Sequence, residues 1–141
     1  MTTAAVDTWK LPLPWRRPPL SANDRPHWTV RNRINQEIKT AAWALAKSKR
    51  VPHLDAVILE LVWYPGNNRH HDGDNMAPTL KALTDGLVAA KVLADDNGER
   101  VLDARLRAVP RRLDPFDGNE PRMILVIRDA SALAPLPHYG P

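Results

Sequence analysis

The densest chemistry in the chain lies in Arg69-His70-His71-Asp72-Gly73-Asp74-Asn75, followed by Lys81, Asp85 and then Asp95-Asp96. Asp72 and Asp74 are two residues apart, so in an extended backbone both carboxylates point to one side. Two like charges held that close repel by a few kcal/mol at an effective dielectric of about 20. Solvent, a retained proton or a cation must relieve this. A divalent cation is the natural remedy, and an all-oxygen ligand set favours Mg²⁺, with Mn²⁺ as the alternative. A strand end, a helix and a return turn can bring Asp95 and Asp96 back beside Asp72 and Asp74, so that three or four carboxylates converge. Taken singly, each acidic run also reads as a turn, because Asp, Asn and Gly serve turns for local reasons. A calcium loop of the EF-hand type is excluded, since Met76 and Ala77 stand where a ligand and a glycine are needed. His70 and His71 are either metal ligands or, the plainer reading, solvated rings that touch phosphate. Lys81 stands four residues before Asp85, which alone indicates a surface ion pair on a helix.

The elements that must position these groups follow from periodicity. Leu11, Leu13 and Trp15 alternate with Lys10, Pro12 and Pro14, which indicates a short edge strand after a disordered lead over residues 1–9. Residues 16–27 form a loop. A helix is predicted from about Asn32 to Ser48, with the stripe Ile34, Ile38, Ala41, Ala42 and Leu45; Trp43 lies opposite Ile34. Residues 55–64 read as a central strand, with Val57, Leu59, Leu61 and Trp63 on one face and Ile58, Val62 and Tyr64 on the other, interrupted by Glu60. Residues 67–77 form a polar loop. Pro78 opens a second helix whose buried stripe is Leu80, Leu83, Leu87 and Val88, running to about Lys91. Residues 95–99 make a turn. Residues 101–109 alternate, with Leu102, Ala104, Leu106 and Ala108 inward and Asp103, Arg105 and Arg107 outward. A polar connection spans 110–121, a last strand covers Met123–Ile127, and a proline-rich tail fills 130–141. The order β-α-β-α-β-β predicts an α+β domain, a small mixed sheet with two packed helices, over residues 10–129.

Composition narrows the function. The 141 residues suffice for one core, and there is no cysteine, so disulfide scaffolds, thiolate metal sites and Cys nucleophiles are excluded. No stretch approaches the roughly 20 apolar residues of a membrane helix. Residues 1–19 lack a sustained apolar run, so neither a signal peptide nor a membrane partner is expected and the chain reads as intracellular. Residues 1–50 carry 10 basic and 3 acidic groups, whereas residues 51–100 carry 4 basic and 8 acidic. A basic flank beside an acidic centre suggests a polyanion partner and a separate carboxylate site.

Together, Asp72-Gly73-Asp74-Asn75, Lys81, Asp85-Gly86-Leu87 and Asp95-Asp96 resemble the RusA family of Holliday-junction resolvases. Arg69, His70 and His71 before the first Asp fit the same pattern, as does Leu13-Pro14-Trp15 leading to Pro18-Pro19-Leu20-Ser21-Ala22-Asn23. The resemblance covers roughly residues 11–110. One departure is that the interval from Asp74 to Lys81 is about three residues longer than the family pattern, with the extra residues expected at Met76-Ala77-Pro78, before the helix. Inside the helix they would rotate Lys81 away from its role.

The resemblance implies a dimeric, Mg²⁺-dependent crossover junction endodeoxyribonuclease of DNA recombination and repair. It would be cytoplasmic, prokaryotic or phage-encoded, with no organic cofactor. The family's metal ligands carry over to Asp72, Asp74 and Asp96, with Asp95 as a helper and Lys81 as the catalytic lysine. Asp85 then orients Lys81. Phosphate contacts are expected from Arg16, Arg17, Arg25, Arg31, Arg33, Arg69, Arg105 and Arg107, with His70, His71 and Asn75 added at the motif. Trp15, Trp28 and Trp43 could stack on bases, although core or interface packing is the plainer reading of each. A junction has near two-fold symmetry, which a C₂ dimer meets directly, and helix faces left over by a small sheet could supply its interface. Two rivals stay open: a metal-dependent nuclease preferring flaps or duplex, and a structure-selective DNA-binding protein without catalysis.

Overall fold

The computed structural model describes residues 7–116 and 120–133. Chain order is β1 (Thr8–Pro12), α1 (Trp28–Ser48), β2 (Val57–Tyr64), α2 (Ala77–Ala89), β3 (Val101–Ala108) and β4 (Arg122–Asp129), with short 3₁₀ turns at Gly73–Met76, Arg111–Leu113 and Ser131–Leu133. The strands form one mixed sheet in the order β1-β4-β2-β3. Only β2 and β3 run parallel, as a β-α-β unit must when a helix joins neighbouring strands. The fold is thus the small α+β arrangement expected.

Cross-strand rows explain which residues are buried. On the face that carries both helices, Trp9, Ile127, Leu59 and Ala104 form one row, and Leu11, Leu125, Leu61 and Leu106 form the next. Leu11, Leu59, Leu61, Leu125 and Ile127 are fully buried there, each worth about 1.5–3 kcal/mol relative to exposure. Ile38, Ala42 and Ala46 of α1 and Leu83 and Leu87 of α2 complete this core. The other face holds a smaller cluster of Val62, Val109 and Val126 with Tyr64 and Ile124. Glu60 interrupts that face; it is buried, and its Oε2 lies 3.7 Å from Arg107 Nη1.

The helices begin and end for identifiable reasons. His27 Nδ1 accepts the Thr29 N–H at 3.3 Å and caps α1. The helix therefore starts at Trp28, four residues before the expected Asn32. At the far ends, Arg50 (φ 56°) and Lys91 (φ 63°) adopt the left-handed conformation. Val51 N–H then bonds the Ala46 carbonyl and Val92 N–H the Leu87 carbonyl, each at 3.0 Å, closing both helices in the same way. The closure also ends α2 at Ala89, two residues short of the expected Lys91.

Other boundaries differ from expectation. β1 begins at Thr8, and Trp9 packs against the core, so residues 8 and 9 belong to the domain and not to a disordered lead. Residues 1–6 and 134–141, where the rest of the lead and most of the tail are expected, lie outside the described residues. Ser131–Leu133 of the expected tail forms a turn whose Ser131 N–H bonds Asp129 Oδ1 at 2.9 Å. In β3 the register shifts: Val57 pairs with Val101, but Ile58 pairs with Asp103. Leu102 is the extra residue of this bulge and is exposed, not inward. Ala104 lies on the inward row, yet at the sheet edge it stays exposed.

Two contacts hold the layers in place. α1 and α2 touch at Gly86, where a Cβ would fall 2.5 Å from the Lys39 carbonyl oxygen and 2.6 Å from Ala42 Cβ. On the opposite face, Arg122 donates two hydrogen bonds to Asp114, at 2.7 and 2.8 Å, with its guanidinium 4.0 Å from the Tyr64 ring centre. Those hydrogen bonds hold the Asp114 carboxyl below the usual carboxylate range.

Gly86→Ala should destabilise by about 1–3 kcal/mol, because neither backbone nor Ala42 can yield cheaply. The expected result is a lower urea midpoint at unchanged slope, and an unchanged midpoint would contradict the contact. Asp114 generates a pH prediction. Its folded pKa is depressed, so its stabilisation is complete above the unfolded carboxylate value and is lost as pH falls through the folded one. Asp114→Asn should be less stable at pH 7 by about 1.5–3 kcal/mol. It should also lose less stability than the parent protein as pH falls below the unfolded carboxylate value of about 4, as urea unfolding at each pH would show.

Candidate functional site

The acidic motif follows the carboxyl end of β2, where the chain turns through Gly66 (φ 77°) towards α2. The loop is pinned before it reaches the acids. Asn67 Oδ1 accepts the Arg69 N–H at 3.0 Å, which fixes it as an acceptor, so the His71 Nε2 at 3.1 Å donates to it. The His71 ring meets Trp63 edge-on at 4.5 Å between centres, and Trp63 Nε1 donates to the Arg16 carbonyl at 3.0 Å. Burial, then the charges of Arg69 and His70, lowers the His71 pKa and favours the neutral ring. The Asn67 carbonyl and the Asn68 side chain accept the N–H groups of Arg111 and Arg112, each at 2.8 Å, tying the loop to the 3₁₀ turn after β3.

Asp72 and Asp74 do not lie on extended backbone as expected. Asp72 is extended (φ −84°, ψ 116°), but a 3₁₀ turn begins at Gly73, and Asp72 Oδ1 accepts the Asp74 N–H at 3.0 Å. This is the Asx-type turn that such a sequence also favours. Glycine is required at 73 because a Cβ there would sit 2.8 Å from the Leu106 carbonyl oxygen of β3. The turn runs without a break into α2, so the polar loop ends earlier than the expected residue 77.

The N-terminal segment docks on the same place. Thr79, fully buried in the first turn of α2, donates its hydroxyl to the Leu20 carbonyl at 2.7 Å and accepts the Leu20 N–H at 3.2 Å. Ala22 N–H bonds the Asn75 carbonyl at 3.0 Å. Between these segments lies an open cleft of about 420 Å³, with Arg17, Asn23 and Asp24 on one side and His71, Asp72 and Asn75 on the other.

Lys81 extends from α2 to two carboxylates. Its Nζ donates to Asp85 Oδ1 at 3.1 Å and also to Asp96 Oδ2. The Asp96 bond, then the Asp85 bond, raises the lysine pKa, while Lys81 lowers that of Asp96. The loop after α2 therefore folds back along the helix far enough to present Asp96. Asp95 is engaged locally: its Oδ1 accepts the Asp96 N–H at 2.7 Å and its Oδ2 accepts from Asn97 at 3.3 Å.

Of the carboxylates expected to converge, the structure brings Asp96 to Lys81, which also bonds Asp85, and places Asp72 and Asp74 on the preceding turn. Among the described residues, no three His, Asp or Glu side chains are grouped to hold a metal ion. In kind, the donors suit a hard divalent cation, being carboxylate oxygens; in their present conformation, the Lys81 ammonium holds Asp96. The interval from Asp74 to Lys81 is taken up as 3₁₀ turn and first helical turn, seven positions that return the chain to nearly the same helical face.

The basic residues are spread around this centre. Arg17, Arg25, Arg31 and Arg69 make no ion pair among the described residues, while Arg16 and Arg33 make only long exposed ones, to Glu120 at 3.9 Å and Glu37 at 3.8 Å. Arg105 is held by Asp103 at 2.9 Å and Arg107 by Glu60, and His70 is exposed. Trp15 packs against the core, but Trp28 and Trp43 are 67% and 45% exposed, which corrects the core reading of those two. Sequence reasoning missed Trp63, Asn67 and Asp24 at the site. The available signal was an indole at the carboxyl end of a buried strand, directly before the polar loop. The chain matches no family model and no curated protein.

Proposed function

We propose that the chain is a Mg²⁺-dependent endonuclease that resolves four-way DNA junctions by paired nicks, acting as a homodimer. The observation that supports this reading is Lys81, held between Asp85 and Asp96 on a helix that grows directly out of the Asp72–Asp74 turn. Residues 81, 85 and 96 thus meet at one lysine, and the Pro-Pro-Leu-Ser-Ala-Asn segment docks at Thr79 on the same helix and at Asn75 on the turn before it. Asp72, Asp74 and Asp96 would hold the metal, which when bound supplies Lewis-acid polarisation of the phosphate and an activated water. In this reading Lys81 neutralises charge that builds on the phosphate oxygens in the transition state. Asp85 keeps its ammonium in place when Asp96 turns to its other task. Arg17, Arg31 and Arg69 bring the backbone phosphates to the cleft.

A second reading draws on the Asx turn at Asp72 and the local bonds of Asp95. Both are what a DNA-binding protein without catalysis would use to shape its loops.

The decisive comparison is Mg²⁺-dependent nicking of a synthetic four-way junction against flap and linear duplex of the same sequence. Asp74→Asn should bind the junction but cut at least about 10³-fold more slowly; full cutting by this variant would remove the metal assignment. Lys81→Met should cost about 10²–10³-fold in rate, on the scale of losing one electrostatic stabiliser. Its melting temperature should barely change, because exposed ion pairs contribute little. Binding without cutting under any divalent ion would favour the second reading. The dimer predicts an elution mass near twice 15.8 kDa.

A further inference from the structure

We propose that Trp28 is a nucleobase-stacking residue, by which the protein grips a base that has left the helical stack at a DNA branch; this rests on the proposed function. Trp28 is two-thirds exposed at the first position of α1, an unusual place for the largest apolar side chain. It is not part of the core, and the His27 ring lies 5.8 Å from it, tilted by 33°, so that two aromatic rings stand together at the surface. The imidazole cap on the Thr29 N–H fixes the start of the helix at Trp28.

Charge identifies the occupant. Arg25 and Arg31 stand three residues to either side of Trp28, both exposed and, among the described residues, without an ion pair. Position 31 follows 28 by one helical turn, so an aromatic and a guanidinium share one patch of α1. There is no acidic residue in the first turn of the helix. An exposed aromatic flanked by unpaired cations suits an anionic polymer carrying flat rings, namely an unpaired segment of nucleic acid. An apolar protein partner would gain nothing from the arginines. Asp24, on the cleft wall, is four residues from Trp28, so the patch lies within about 14 Å of the cleft along the chain.

Stacking distinguishes branched from continuous DNA, because a linear duplex has no free base face. The experiment measures binding of a fluorescent four-way junction and a linear duplex in Ca²⁺, comparing the parent protein with Trp28→Ala, Trp28→Phe and, as an exposed control, Trp43→Ala. Trp28→Ala should weaken junction binding about 10-fold. Trp28→Phe should recover most of this, duplex affinity should be unchanged, and Trp43→Ala should match the parent. Unchanged circular dichroism and melting would show that the fold is intact, as the exposure of Trp28 requires. Junction affinity equal to the parent's, or an equal loss on duplex, would overturn the proposal while leaving the nuclease reading in place. A change in elution mass on Trp28→Ala would assign the patch to a second copy and overturn it too. Failure of the parent protein to bind either DNA would overturn both readings together.

Discussion

The contact between α1 and α2 at Gly86 sets the rotation of α2, and the rest of the site depends on that rotation. With Lys39 and Ala42 of α1 at less than the reach of a methyl group, only one orientation of α2 lets the helices close. Lys81 lies five residues from Gly86, about 140° around the helix, and must face away from α1. Asp85, one position from Gly86, is directed to the same side by its four-residue spacing from Lys81. Leu83 and Leu87 secure the same rotation from below by facing the sheet. An ion pair that contributes little to stability is therefore aimed by apolar packing that contributes much.

The opposite face of the sheet obeys a different rule. Among the described residues neither α1 nor α2 covers it, and its valines pack with Tyr64 and Ile124. Asp114 and Arg122 latch that turn, while Asn67 and Asn68 bind it to the acidic loop. Gly73 rests on the β3 backbone at Leu106 from the same direction. Displacing the latch would therefore reach Asp72 through two short segments of loop. Charges at this face are mostly matched in pairs, Arg105 with Asp103, Arg107 with Glu60 and Arg122 with Asp114. In the basic N-terminal half, Arg17, Arg25 and Arg31 make no ion pair among the described residues, and Arg17 lines the cleft.

Much of this is legible in the sequence, and the misses have physical causes. Strong periodicity yields every strand and helix and their order, and the i, i+4 spacing of Lys81 and Asp85 yields their pair. The start of α1 is expected too late because its cap is an imidazole, which does not belong to the usual oxygen-bearing cap residues. Leu102 is expected inward because strict alternation has no means of anticipating an extra residue in a strand. Asp72 and Asp74 are expected on extended chain because two-residue spacing is silent on whether a short polar stretch extends or coils. Trp63 reads as a core residue, which its strand justifies. Its indole N–H, tied to the Arg16 carbonyl, and its edge contact with His71 depend on a loop 47 residues earlier and on the loop directly after β2.

The interval between Asp74 and Lys81 shows how a turn and a helix share one path. Three residues of α-helix rotate the chain by about 300°, whereas three of a 3₁₀ turn rotate it by a full circle. Here the interval is shared between the Gly73–Met76 turn and the start of α2, so seven positions return the chain to nearly the same face. The same path separates Asp74 from Lys81 by about 12 Å of backbone rise. The lysine is bonded to the carboxylates that share its helix and the returning loop, and Asp72 caps the backbone of the turn at Asp74. The backbone of the turn is fixed by Gly73 against β3 and by Asn75 against Ala22, so the groups left free to move are the partly exposed side chains of Lys81 and Asp96.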